Sequence, residues 1–315
     1  MGVASFRTCF TAAVAAAGFF LSAAGQTYAD VLTFDDVTEE SWTRIPDGYG
    51  GLNWTDLNVL RPQSERRTGY TNGVVSGDYV AYNPFSAVAS ASAGSYFTFQ
   101  GAYLTAAWNY RLNITVDGYR DGELIYTETV VVSPSEPTWF DFDYCDIDTL
   151  SFTSFGGVNA GLGRYGTHFA MDDFTFNFNE APEVSVATDV ESLGSSNKKM
   201  VPVEILVTAS DDCTGPDDLI VLCDIESSQA DDSNGRGKNT GDVNGEDGYS
   251  SPVPVELTHV GGGTYVATVE LRAERDSGEK TSRTYTIHVT VLDGVGNLSE
   301  ASTAVVVPAP GGRRK

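Results

Sequence analysis

Basic residues are scarce. The 315-residue chain carries 19 Lys and Arg against 43 Asp and Glu, a formal net charge of −24. Nucleic-acid phosphates are bound by clustered cations, so nucleic acid is excluded as a partner. Anionic membrane surfaces are disfavoured on the same ground. Calcium and uncharged polymers suit such a chain better. Histidine occurs three times, at His168, His259 and His288, and cysteine four times. With no Cys-x-x-Cys pair near a histidine, the sequence has no zinc-site pattern. It has no Gly-x-Ser-x-Gly elbow, His-Glu-x-x-His helix or phosphate-binding loop either. No carboxylate pair stands out as the acid and nucleophile of a glycosidase. The chain therefore reads as non-enzymatic. Beyond residue 29 no apolar run is long enough to span a bilayer.

The first 29 residues have the pattern of a secretory signal peptide. Arg7 gives a positive start, 8–24 is apolar and Ala-rich, and small residues follow. Cleavage fits after Gly25, with Ala23 at −3, or after Ala29, with Thr27 at −3. Export makes disulfides permissible and places the chain outside the cell or at its surface. Cys213 and Cys223 flank the Gly215-Pro216 turn, and their spacing predicts a disulfide between them. Cys145 is then left as a buried thiol.

With hydrophobic residues at 41%, the chain can form packed cores. A boundary is expected at Asn179-Glu180-Ala181-Pro182. All four Trp lie before it, whereas Val dominates after it. Both halves are patterned as strands. Phe174, Phe176 and Phe178 share one face of a strand, as do Val201, Val203, Ile205 and Val207. In the second half, strands are expected at 183–188, 201–208, 219–225, 253–258, 264–271, 284–292 and 302–307. Seven antiparallel strands in one half suit an immunoglobulin-like sandwich. The Gly-, Asp- and Ser-rich stretch 227–250 reads as a mobile loop, and 309–315 as a disordered basic tail. The expected fold is all-β, with a jelly-roll-like sandwich over 30–180 and an immunoglobulin-like sandwich over 181–308.

Several constellations bear on function. Asp35 and Asp36 lie at the end of the first strand, and Asp172 and Asp173 lie in the last strand of the first domain. Terminal strands of a jelly roll run side by side, which would bring the four carboxylates together. They then either hold a structural Ca²⁺, which takes six to eight oxygens, or accept backbone hydrogen bonds at strand ends. Asp242-Val243-Asn244-Gly245-Glu246-Asp247-Gly248 has some features of a calcium loop, but Asp247 stands at the position of the invariant Gly. Tyr49, Trp54 and Trp108, with Asn109 and Arg111 nearby, are candidates for stacking on a sugar and fixing its hydroxyls. They are equally candidates for the core. Arg272, Glu274 and Arg275 read as a surface ion-pair set.

Two family resemblances add to this. The second half resembles the HYR-like immunoglobulin-like repeats of secreted bacterial proteins. The resemblance rests on Asn197-Lys198-Lys199-Met200-Val201-Pro202-Val203, Ala209-Ser210-Asp211-Asp212-Cys213, Leu271-Arg272-Ala273-Glu274-Arg275, Arg283-Thr284-Tyr285-Thr286-Ile287 and Asp293-Gly294-Val295-Gly296-Asn297. Lys198 replaces the His usual there. Such modules imply a spacer. The first half looks like a family of exported β-sandwich domains, some of them in proteins with exosortase-type sorting tails. Here the matching residues are Thr33-Phe34-Asp35-Asp36, 45–54, Ala107-Trp108-Asn109 and Phe169-Ala170-Met171-Asp172-Asp173. This resemblance implies a galactose-binding-like jelly roll. The combined expectation is a secreted glycan-binding protein. A surface or matrix adhesion protein that binds another protein is the alternative, and an unrecognised carbohydrate-active enzyme the third.

Overall fold

The computed structural model describes residues 30–63, 67–231, 240–246, 252–276 and 281–309. The expected signal peptide and nearly all of the expected tail lie outside them. The chain is all-β, with two hydrophobic cores. The first is built from residues between Phe34 and Phe176, and the second from residues between Val203 and Val307.

The first domain contains β1 (Asp30–Leu32), β2 (Trp42–Arg44), β3 (Asn53–Thr55), β4 (Asn58–Leu60), a single helical turn α1 (Gly69–Asn72), β5 (Val80–Tyr82) and β6 (Ala89–Ala106). It continues with β7 (Asn109–Tyr110), β8 (Leu112–Arg120), β9 (Glu123–Val132), β10 (Thr138–Phe155), β11 (Val158–Asn159) and β12 (Phe169–Phe178). The main sheet runs β2-β4-β5-β12-β6-β10-β8-β9, with β1 on β12 and β3 on β6. The terminal strands β1 and β12 are therefore neighbours, with Leu32 opposite Phe174.

β6 and β10 hold this sheet together and let it curl around one core. Each is 18 residues long. Register shifts fall between Asp141 and Tyr144, Tyr144 and Ile147, and Asp172 and Thr175. Asp143, Asp146 and Asp173 sit there with φ of 49°, 57° and 48°. A left-handed residue in a ladder inserts a bulge and bends the strand, and Asp tolerates that conformation better than most side chains. The curled sheet buries Phe97, Phe99, Phe152, Phe174 and Phe176. Phe99 stacks on Phe142 at 5.3 Å and on Phe174 at 4.7 Å. Offset aromatic pairs of this kind contribute about 1 kcal/mol each beyond their burial.

The second domain is a sandwich of two four-stranded antiparallel sheets. Its strands are β13 (Glu183–Thr188), β14 (Met200–Ser210), β15 (Ile220–Ser227), β16 (Val253–Val255), β17 (Thr258–Gly261), β18 (Thr264–Arg272), β19 (Arg283–Leu292) and β20 (Leu298–Val307). The sheet orders are β13-β14-β18-β17 and β16-β15-β19-β20. This is the immunoglobulin plan, A-B-E-D facing C-F-G, with one further strand beside C. Alternation produces it directly. Val203, Ile205 and Val207 of β14 face Tyr285, Ile287, Val289 and Val291 of β19 across the core, all buried.

Three expectations are corrected here. The disulfide is Cys145–Cys213, with the Cα atoms 5.6 Å apart, and Cys213 is not bonded to Cys223. Cys223 lies inside β15 with its thiol in the second core, where burial pushes it up to about 12. Cys213, in the loop after β14, faces the first domain instead. Next, the stretch 227–250 is not a free loop throughout. Val243 bridges to Leu271 of β18 and is buried, and Asp242 is buried beside it. Finally, Arg272 and Glu274 are not a surface set. Asp242 is held by Arg272 Nε at 3.0 Å and by the fully buried Arg283, while buried Glu274 pairs with Lys198 at 3.6 Å.

Candidate functional site

The four candidate calcium ligands all work as hydrogen-bond acceptors. Three backbone N–H groups donate to the fully buried Asp172. Val75 N and Ser76 N reach Oδ2 at 2.7 and 3.1 Å, and Asp173 N reaches Oδ1 at 2.8 Å. The Ser76 hydroxyl lies 2.6 Å from Asp173 Oδ1, nearer than its 3.3 Å to Asp172 Oδ1. Asp35 Oδ1 accepts from Asp78 N at 2.6 Å and Tyr79 N at 3.2 Å. Asp36 Oδ1 accepts from the Tyr49 hydroxyl at 2.7 Å. Strand pairing thus brings both acidic pairs to one place, where Asp35, Asp172 and Asp173 pin the loop Val75–Tyr79. Gly77 is required in that loop. Its φ is +54°, and a Cβ would lie 2.0 Å from the Asp35 carboxylate.

In the structure these carboxylates are engaged by protein donors rather than turned toward one another. Asp172 already has three N–H donors, and among the described residues no three His, Cys, Asp or Glu side chains gather as metal ligands. In the Asp242 segment, whose Asp247 and Gly248 lie outside the described residues, the Asp242 carboxylate is paired with Arg272 and Arg283.

Of the five candidate sugar contacts, Trp108 is the one among the described lining residues of the cleft bordered by Trp42. Trp54 is fully buried, edge-on to Phe174 at 5.4 Å, and its indole donates to the Tyr49 carbonyl at 2.9 Å. Tyr49 packs against the same core, and burial together with its hydrogen bond to Asp36 raises its hydroxyl pKa. Asn109 is buried and donates to the Gly156 carbonyl at 3.0 Å. Arg111 lies in a left-handed turn, φ 55°, away from the cleft. Asn109 and Arg111 therefore shape a turn, and Tyr49 and Trp54 fill the core.

The cleft has a volume of about 700 Å³, within the usual range for small-molecule sites. Trp42, at the start of β2, stands at its edge with 60% of its surface exposed. Tyr70 of α1, Tyr82 of β5 and Trp108 after β6 form an aromatic wall. Tyr70 meets Tyr82 at 5.5 Å and Trp108 at 5.4 Å, both edge-to-face. The position of α1 follows from Gly69, whose missing side chain lets the helix approach the sheet. A Cβ there would lie 1.6 Å from the Ala106 carbonyl oxygen. Thr68 caps the turn, its hydroxyl accepting from Thr71 N. Arg61, Arg67 and Arg164 line the rest. Arg61 is paired with Asp78 and lies over the Tyr79 ring. Burial raises the Tyr70 hydroxyl pKa, and the Arg164 charge pulls against that rise.

Trp42, Tyr70, Tyr82 and the three arginines were not singled out by sequence. One signal was there: Arg61, Arg66 and Arg67 fall within seven residues of a domain otherwise rich in acid.

The sequence matches no protein-family model and no curated protein. Among solved structures it is similar to AggA, the major subunit of aggregative adherence fimbriae type I from Escherichia coli. Identity is 15% and the TM-score 0.26, over 42% of this chain and 97% of that one. It is also similar to the M60 catalytic domain with the CBM51-1 and CBM51-2 domains of Clostridium perfringens ZmpB, at 13% identity and TM-score 0.21. That match covers 72% of this chain and 19% of the other. A third is a β-glucuronidase from Ruminococcus gnavus in complex with D-glucaro 1,5-lactone, at 10% identity and TM-score 0.18. There the match covers 87% of this chain and 49% of that chain. Likenesses at such TM-scores assign no function, and the chain is described by its own architecture: two linked β-sandwich domains.

Proposed function

We propose that this is a secreted, non-enzymatic binding protein whose first domain holds a carbohydrate in the Trp42–Trp108 cleft. The second domain acts as a spacer. The observation that carries the reading is the exposed Trp42 indole at the edge of a cleft walled by Tyr70, Tyr82 and Trp108. A pyranose presents a face of C–H groups that lies well on an aromatic ring, while its hydroxyls need polar neighbours such as Ser41, Gln63 and Thr71. A disulfide between the domains supports an oxidising compartment outside the cytosol. Calcium has no part in this reading.

A glycan array probed with the chain from residue 30 tests it. Binding to one glycan class, lost in Trp42→Ala, is the expected result. A folded chain that binds no glycan overturns it.

A second reading, protein adhesion, is favoured by two exposed aromatic side chains, one of them next in sequence to Arg164 of the cleft. Phe85 and Tyr165 are 95% and 86% exposed on two adjoining loops. The loops are tied by Ser86, which accepts from Thr167 N at 3.0 Å and lies 3.2 Å from His168 Nδ1. Exposed apolar groups of this kind mark contact surfaces.

A further inference from the structure

We infer that the ligand of the Trp42–Trp108 cleft is an anionic glycan, one whose sugars carry carboxylate or sulfate groups. This inference rests on the glycan reading and narrows it. Residues 30–180 hold 21 acidic residues, seven arginines and no lysine. A cleft placed at random on such a domain would be lined by carboxylates. Instead, three of the six described arginines of the domain line this one, at Arg61, Arg67 and Arg164, and no Asp or Glu is among its described lining residues.

The three arginines differ in what they have left to offer. Arg61 is neutralised by Asp78 just outside the cleft. Arg67 and Arg164 are both exposed, and neither pairs with a carboxylate among the described residues. Two of the domain's other arginines have structural work, while exposed Arg111 lies in a turn away from the cleft. Arg120 pairs with Asp146 at 3.4 Å, and Arg44 donates to the Trp54 carbonyl at 3.3 Å. Two unpaired guanidinium groups beside an aromatic wall therefore form a local positive field on a strongly negative molecule. A guanidinium presents a planar fork of donors that matches a carboxylate or sulfate through two parallel hydrogen bonds. Trp42 supplies a ring for the sugar face, and Arg67 and Arg164 supply the charge. Neutral sugars would use only the first. Acidic peptides would use only the second, which is why a sugar acid is favoured over a peptide.

The net charge also makes long polyanions poor probes, since the whole molecule repels them at a distance. Short oligomers avoid this. The test is titration of the chain from residue 30 with α-1,4-linked galacturonate trimer, with the same trimer as its methyl ester, with a sulfated galactose trisaccharide and with hexaglutamate. The acid trimer, the sulfated trisaccharide or both are expected to bind at least ten-fold more tightly than the ester. Which of the two does so identifies the anion. In Arg67→Ala/Arg164→Ala, two exposed changes that leave the core untouched, the acid-over-ester preference is expected to fall at least five-fold. Lys199→Ala, which removes a positive charge from the exposed surface of the second domain, leaves that preference unchanged.

Equal binding of acid and ester, lost in Trp42→Ala, would overturn the anionic preference and keep the glycan reading. Binding of no probe by the folded chain would overturn the anionic preference, and binding of hexaglutamate in preference to every sugar would overturn both.

Discussion

Cys145, in the long strand β10 of the first domain, is disulfide-bonded to Cys213, in the loop after β14 of the second. The bond closes 68 residues of sequence and spans the boundary between the two cores. Polar contacts reinforce it. Asn177 donates to Asp212 across the same junction at 3.1 Å, and Thr98 lies against the Cys213 sulfur. The second domain is thus fixed to the first at two points, the chain itself and the disulfide.

A protease site inserted between Glu180 and Ala181 tests this pairing. After cleavage the two fragments should migrate together on a non-reducing gel and separate on reduction. Separation without reductant would contradict the pairing and restore Cys213–Cys223. In the chain-entropy account a closed loop of this length stabilises by about 4 kcal/mol, so Cys145→Ser should lower the denaturant midpoint accordingly.

The pH dependence of stability should carry the mark of Asp172. Burial pushes its carboxyl up to about 6, against the lowering effect of the N–H groups of Val75, Ser76 and Asp173. The native state then keeps the proton up to about pH 6, while the unfolded chain releases it near the ordinary Asp value of about 3.9. Protonation favours the native state. The contribution is complete below about pH 4 and is lost as pH rises through about 6. By linkage the loss is about 2–3 kcal/mol. Chemical denaturation of the wild type and Asp172→Asn across pH 4 to 7 should show the wild-type advantage shrinking by that amount. A flat or growing advantage would mean that the three N–H donors outweigh burial.

Gly77→Ala should destabilise the first domain by about 2–3 kcal/mol. The new methyl group would meet the Asp35 carboxylate at 2.0 Å in a left-handed backbone, and Asp35 would release the N–H groups of Asp78 and Tyr79. Thermal unfolding reads this directly. An unchanged Tm would show that the loop is not pinned by Asp35.

Asp242→Ala should cost the second domain about 3–5 kcal/mol, because it leaves Arg283, fully buried, without its counter-charge. Replacing both residues, as Asp242→Ala/Arg283→Met, should recover much of the loss. Urea unfolding that is insensitive to Asp242→Ala would contradict the docked position of this segment.

Strand periodicity made much of the second domain readable in advance, because the inward residues of β14 and β19 alternate without a bulge. β17 escaped because Thr258–Gly261 is short and carries little apolar signal. The docking of Asp242 escaped because its partners, Arg272 and Arg283, are distant in sequence. The first domain was less legible. The leading half of β6, Ala-Ser-Ala-Ser-Ala-Gly-Ser, has too little apolar bulk to register as a strand, and bulges at Asp143, Asp146 and Asp173 break the period-2 count. Aromatic identity alone did not separate Trp54, which fills the core, from Trp42, which does not. That difference is set by which strand each belongs to and what covers it. The acidic pairs stand out as a unit in the sequence, but the structure shows that Asp35, Asp172 and Asp173 hold the loop Val75–Tyr79 while Asp36 holds the Tyr49 hydroxyl.

The most direct test of the central claim is the environment of Trp42. Calorimetric titration of the chain from residue 30 and of Trp42→Ala with a panel of neutral and acidic oligosaccharides should give binding to the wild type that is at least ten-fold weaker or lost in the variant, with the variant's Tm unchanged. Binding that survives Trp42→Ala, or a folded wild-type chain that binds no oligosaccharide of the panel, would contradict the account.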